Sequence, residues 1–352
     1  MLRRRDLSEG RRVLAVGISL WGMLFCQLGH AHSLREISGG LSSCMGRLRH
    51  LGIDESPKRS TLSYANKHRS WRLYEKLFYE FLSRFRVLTK GKKKFRFKNK
   101  LFSLDATVID FCAGLFDWAK FRQTKGAVKL HLLLDHDGYL PVFARLTEGR
   151  VHEVNIARGY VDYDLFRKWT DEDVYFVTRL KGNAGFRVLE DLFLPGQGNI
   201  VSDQVIELTG YYSQRKYPYR LRRIGYWDEE RKEVLVFLTN NFKFAATTVS
   251  RIYRDRWQIE VFFKTIKQNL KIKSFVGTSP NAVLTQIWTA LIAILVLKYL
   301  KFRSTFGWSL SNLVAMLRYN LFIYRDLWEW INDPYQPPPI IENTEQLSLR
   351  FV

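Results

Sequence analysis

Four polar residues in the segment YRDRWQIEVFFKTIK, namely Tyr253, Arg256, Glu260 and Lys267, are spaced three, four and seven apart. On an α-helix, turning ~100° per residue, they share an arc of about 60°. Ile259, Phe262, Phe263, Ile266 and Leu270 fill the adjoining arc. A packed stripe beside a polar one holds a carboxylate at the edge of a core with cations alongside, which suits chemistry on a phosphate. Arg256 and Glu260 at i,i+4 are equally an ordinary surface ion pair worth about 0.2–0.5 kcal/mol. Spacing alone leaves both readings open.

A second carboxylate, Asp105, lies inside the apolar strand pattern LFSLDATVIDF. Asp105 is either a solvated aspartate at a strand end or a ligand; its place within an apolar strand favours the ligand, since a buried carboxylate is costly unless it binds a cation. Asp110, five residues on, falls on the opposite face of the same strand. The next stretch, KGAVKLHLLLDHDGYLPVFARLTEG, reads as two strands joined at Asp135, His136, Asp137 and Gly138. A helix around DYDLFRKW and a buried strand over VYFVTRLK, residues 174–181, continue an α/β core. Residues 186–250 carry few helical signals and include a hairpin turning at Asp228–Arg231, which predicts a β-rich insertion. One continuous helix is then expected through Tyr253 to Lys267. An apolar helix over 281–300 and a Pro-rich tail follow. The apolar run at 287–297 is short of the ~20 residues that span a bilayer and reads as a core helix.

Before the first strand, residues 20–86 show apolar positions at helical spacing, with Leu73, Leu77, Phe78, Phe81 and Phe85 as an expected buried stripe. From Arg84 to Lys100 nine basic residues meet no acid, and Lys94 to Lys98 alternate with phenylalanine as a half-buried strand would. Taken alone, this run is either a solvated charged loop or a contact for phosphates, with Lys92, Lys93 and Lys94 as the candidates. The chain carries 56 Lys and Arg against 34 Asp and Glu, a net +22 over 352 residues. Residues 1–100 hold 23 basic and 7 acidic side chains, so most of the surplus sits there. Such a surplus points to a polyanionic partner and marks the first hundred residues as a docking part. Cys26, Cys44 and Cys112 form no Cys-x-x-Cys pair, which argues against a zinc knuckle and a disulfide framework and fits a reducing cytoplasm. Residues 13–33 imitate a signal peptide, but Trp21, Gln27 and the basic, amphipathic sequence after them favour a cytoplasmic chain.

The Tyr, Arg, Glu, Lys series at 253, 256, 260 and 267, together with LDATVIDFC and TKGAVKLHLLLDHDGYLP ahead of it, resembles the insertion-sequence-4 family of bacterial DDE transposases over roughly residues 20–330. The resemblance implies an α/β fold with an RNase H-like core, a β-rich insertion before the Glu helix and a helical basic N-terminal domain. It divides the chain into a DNA-binding domain at 1–95, core at 96–185, insertion at 186–250, core with the Glu helix at 251–332 and a tail at 333–352. It assigns Asp105 and Glu260 as catalytic, metal-holding carboxylates and Tyr253, Arg256 and Lys267 as DNA contacts. Two Mg²⁺ or Mn²⁺ ions are the implied cofactors. Double-stranded DNA, at element ends and target, is the implied partner, bound by a homodimer beside the nucleoid and away from membranes. In that family a second aspartate precedes Arg-Gly-Tyr and an Asp-Tyr pair. Here Arg158, Gly159, Tyr160, Asp162 and Tyr163 match, while Ala157 stands in the aspartate's place and the strand before it is missing. Asp162 and Asp164 are the nearest substitutes, on what should be the following helix. The sequence therefore predicts either a DNA-cutting and joining enzyme or a remnant that binds element ends without cleaving.

Overall fold

The computed structural model describes residues 17–44, 48–49, 53–89, 95–112, 120–122, 125–148, 162–180, 182–194, 198–321, 323 and 325–335. Lys92, Lys93, Lys94, the segment around Ala157 and most of the Pro-rich tail lie outside them. The chain divides into two compact units, one formed by residues 1–81, 269–271 and 285–352 and the other by 82–268 and 272–284.

The first unit is helical, containing α1 (Gly17–Gly29), α2 (Leu34–Ser42), α3 (Arg59–His68) and most of α4 (Arg72–Thr89). The Ser33 side chain accepts from the Glu36 amide and so fixes where α2 starts. In α4 the buried positions are Tyr74, Phe78, Leu82 and Phe85, whereas Leu73 and Phe81 are exposed. The expected stripe was thus displaced by about one position, because Tyr74 turns its ring inward and its hydroxyl donates to Ser19 at 2.9 Å. Phe78 also packs against Trp288, their ring centres 5.4 Å apart. The signal-peptide look-alike forms α1, in which Met23, Cys26 and Gln27 are buried. Gln27 donates to the Gln286 carbonyl at 3.0 Å and accepts from the Lys271 amide at 2.8 Å, which satisfies a polar side chain inside an apolar helix.

The second unit holds two sheets. The first contains β1 (Phe102–Cys112), β2 (Lys120–Arg122), β3 (Lys125–Asp135) and β4 (Leu140–Glu148), all pairing antiparallel to β3. The β1–β3 register runs unbroken from Phe102 opposite Asp135 to Cys112 opposite Lys125. The hairpin between β3 and β4 turns at the expected residues; Gly138 has φ 93° and Tyr139 φ 54°.

After α5 (Tyr163–Asp171) comes β5 (Val177–Arg179), only three residues long. The buried strand expected over 174–181 is therefore corrected. It pairs with β9 (Glu233–Thr239) in the second sheet, where Phe176 and Leu180 complete the core built by Phe166, Ile206 and Leu208. That sheet runs β5-β9-β8-β7-β6, with β6 (Phe186–Asp191), β7 (Ile200–Leu208) and β8 (Leu221–Asp228). A short helix, α6 (Tyr211–Lys216), links β7 to β8.

The strand expected at Lys94 to Lys98 is also corrected. Residues 95–99 are bends, and Phe95, Phe97 and Phe244 stack in series at 5.2 and 4.9 Å. Ring stacking, not strand pairing, explains why phenylalanine alternates with basic residues there.

The Glu-bearing helix is broken. α7 (Ala246–Asp255) ends at Arg256 and α8 (Trp257–Asn269) starts beyond it. The Arg256 amide bonds the Tyr253 carbonyl and the Ile259 amide bonds the Arg256 carbonyl, both three-residue links that tighten the turn. After it, α9 (Pro280–Arg303) has the length and hydropathy to cross a membrane, yet 78% of its apolar window is buried within the protein. Last come α10 (Leu310–Tyr319) and α11 (Leu327–Asn332).

Candidate active site

β1 supplies Asp105 and the α7–α8 junction supplies Arg256 and Glu260. Asp105 is buried, facing the junction, while Asp110 on the other face of the strand is exposed. The Asp105 Oδ1 accepts the Ala106 amide at 2.7 Å. Its Oδ2 accepts Arg256 Nη1 at 3.3 Å, and Arg256 Nη2 donates to Glu260 Oε1 at 2.5 Å. Two carboxylates 155 positions apart in the chain thus converge on one guanidinium. Burial opposes the charge on Arg256, but the Glu260 hydrogen bond and the nearby Tyr253, Glu260 and Asp105 outweigh it and hold its pKa above the ordinary arginine value. Glu260 remains 33% exposed, so a ligand can reach it.

The other two members of the series stand beside this pair. Tyr253 packs its ring on Phe237 at 4.5 Å and carries the Arg256 guanidinium 5.5 Å from its ring centre. Lys267 donates to the Val108 carbonyl at 2.8 Å on the strand that bears Asp105. Burial lowers the Lys267 pKa against the opposing pull of Asp110.

Two hard oxygen donors gathered on one positive centre fit a divalent ion of the Mg²⁺ or Mn²⁺ type, which could take the guanidinium's place between them. Among the described residues no cluster of three or more metal-ligating side chains exists. Asp162 caps α5, accepting the amides of Asp164 and Leu165, and Asp164 bonds Lys216 at 2.8 Å. Both potential substitutes are thus engaged in local structure, one at the cap of α5 and one with α6.

Sequence reading missed a second polar cluster next to the first. His136, in the β3–β4 turn, bonds Ser103 Oγ through Nε2 at 2.7 Å and Asp255 Oδ2 through Nδ1 at 2.5 Å. The Tyr139 hydroxyl donates to both Asp255 oxygens at 3.2 Å. The order of groups imitates a hydrolytic triad, but Ser103 is 7% exposed and His136 3%, so no substrate reaches the hydroxyl. Nothing local marks His136 out, since Asp255 lies 119 residues away.

The family described as Transposase DDE domain matches residues 96–296, and a domain of unknown function (DUF4372) matches residues 17–54. The chain is 31% identical to "Putative transposase y4zB" of Sinorhizobium fredii, over 55% of this chain and 59% of the relative. It is 25% identical to "Probable transposase for insertion sequence element IS5377" of Geobacillus stearothermophilus, over 59% of each. A third relative, "Putative transposase for insertion sequence element IS4SA" of a Synechocystis strain, is 26% identical over 74% of this chain and 76% of its own length. The chain spans about three fifths of the length of the first two.

Proposed function

Since the chain belongs to the Transposase DDE domain family, we propose that it is, or descends from, the transposase of a bacterial insertion sequence, of the insertion-sequence-4 type. Its substrate is double-stranded DNA at the element's ends and at the target, held by a homodimer beside the nucleoid. The observation that carries this reading is the convergence of Asp105, from a strand, and Glu260, from a helix, on a single cationic centre. In this reading β1 and the α7–α8 junction belong to an RNase H-like core, residues 186–250 are its insertion, and residues 1–95 are the DNA-docking domain. The core lies at 96–185 and 251–332, ahead of the tail at 333–352.

Asp105 and Glu260 would hold the divalent ion and set its position relative to a phosphate. When bound, that ion stabilises the charge that develops on the phosphate oxygens. Displacing Arg256 from the carboxylates would free its guanidinium for a neighbouring DNA phosphate, with the Tyr253 ring beside it and Lys267 two turns beyond Glu260 on the same face. Lys92, Lys93 and Lys94, within the docking segment, would contact the DNA backbone.

A second reading, a remnant that binds ends without cutting, is favoured by the absence of the aspartate before Arg158 and by the local engagement of Asp162 and Asp164. The test is cleavage of DNA bearing the element's ends, with Mg²⁺ or Mn²⁺, beside a variant with a strand and aspartate inserted before Arg158. Cleavage by the variant alone supports the remnant reading. Cleavage by the unaltered chain that is lost in Asp105→Asn and Glu260→Gln supports the active enzyme.

A further inference from the structure

Two tethers cross the same gap. One runs from Asp105 through Arg256 to Glu260; the other runs from Ser103 through His136 to Asp255. Ser103 and Asp105 are two apart on β1 and so point to one face, and both are buried. Asp255 and Arg256 are neighbours at the helix junction, with Glu260 one turn beyond. The second tether therefore fixes the spacing across which the first must reach.

The turn carrying His136 bears signs of being built for this. Tyr139 adopts φ 54°, a left-handed conformation that costs a bulky residue free energy and persists only where surrounding structure imposes it. Its hydroxyl spans both oxygens of Asp255. The His136 amide also bonds the Leu101 carbonyl at 3.0 Å, which anchors the turn to the start of β1. A buried imidazole satisfied at both ring nitrogens is a stiff spacer, because moving either neighbour strands a polar group away from water.

We infer that His136 and Tyr139 are positioning residues: they clamp Asp255 so that the first turn of α8 presents Glu260 at a fixed distance from Asp105. A misplacement of ~1 Å at such a pair costs heavily, which gives the clamp its purpose. The inference rests on the metal-holding reading of Asp105 and Glu260 only for the second of two measurements.

The first measurement is amide hydrogen exchange on the full chain, comparing His136→Phe and Tyr139→Phe with Phe166→Leu, a control in the α5 core chosen to lower the melting temperature similarly. Exchange at residues 257–263 should rise about tenfold in the two clamp variants relative to that control. The second is Mn²⁺ binding followed by water-proton relaxation, well below the melting transition. Affinity should fall about tenfold in His136→Phe and less in Tyr139→Phe, as when a group supporting a ligand is removed. Exchange at 257–263 no faster than in the control would overturn the clamp, whatever happens to Mn²⁺. Local exchange that accelerates in a chain whose Mn²⁺ binding ignores Asp105→Asn would leave the clamp standing and remove the metal-holding reading instead.

Discussion

Two arginines in the second unit each meet a buried aspartate, and their settings differ in every respect that matters. Arg222 binds Asp203 with two hydrogen bonds, at 2.8 and 2.6 Å, across adjoining strands of one sheet. Its remaining nitrogen donates to the Phe244 carbonyl, and both side chains are nearly sealed, 7% and 3% exposed. Arg256 meets Asp105 with one bond at 3.3 Å, shares itself with Glu260, and is 29% exposed. The first arrangement leaves no opening for another ligand, and its chemistry is spent on holding strands together. The second joins two carboxylates, one from a strand and one from a helix, through one partly exposed cation. A closed ion pair is architecture, and the open one is the arrangement on which the proposed metal site rests.

The contrast predicts a hierarchy of effects. The largest belongs to Arg222→Leu, which strands Asp203 in the sheet and should cost about 3–5 kcal/mol in urea denaturation. If Arg256→Leu costs as much, the distinction between sealed and open pairs collapses.

Lys298 sharpens the comparison from another side, as a charge inside the apolar helix α9. Burial, with repulsion from Lys301 added, pushes its pKa down to about 8. A base whose folded pKa lies below its unfolded value of 10.5 carries its full penalty below pH 8 and loses it as pH rises to 10.5. Lys298→Met should therefore stabilise the protein by about 2 kcal/mol at pH 7, with the gain fading towards pH 10.5 in thermal melts. A gain independent of pH would mean that packing, not charge, explains it.

The smallest stability effect should come from Arg256→Gln, about 1 kcal/mol, because the glutamine amide can still donate to buried Asp105 while Glu260, one third exposed, turns to solvent. Mn²⁺ affinity should rise in the same variant, since the competing cation has been removed. Weakened Mn²⁺ binding would show instead that the guanidinium organises the carboxylates for the ion.

What the sequence made legible follows from the range of the forces involved. The β3–β4 hairpin and the apolar stripe of α8 are set by neighbours a few residues away, and periodicity reports them; periodicity put Asp105 and Asp110 on opposite faces, and only the family resemblance chose between them. The stripe of α4 was displaced because Tyr74, amphipathic, turned inward to a hydroxyl partner 55 residues away. Residues 174–181 read as one buried strand, but only Val177–Arg179 forms it, pairing with β9, because an apolar run states that it is buried and not against what. The interruption at Arg256 is slight, a helical residue whose neighbours form three-residue bonds, and apolar periodicity runs through it unchanged. His136 looked like a turn residue, and its partners lie 33 and 119 positions from it.

The distance between Asp105 and its cation along the chain has a consequence in time. Arg256 follows Asp105 by 151 residues. At a ribosomal rate of ~5–20 residues per second, about 8–30 s separate the emergence of the two. Once Glu148 has been made the strand pairs of the first sheet are complete in sequence, while Asp105 still awaits a counter-charge that has not been made. The carboxylate pair joined through Arg256 is thus a property only of a chain made at least as far as Glu260, and a shorter nascent one carries Asp105 without it.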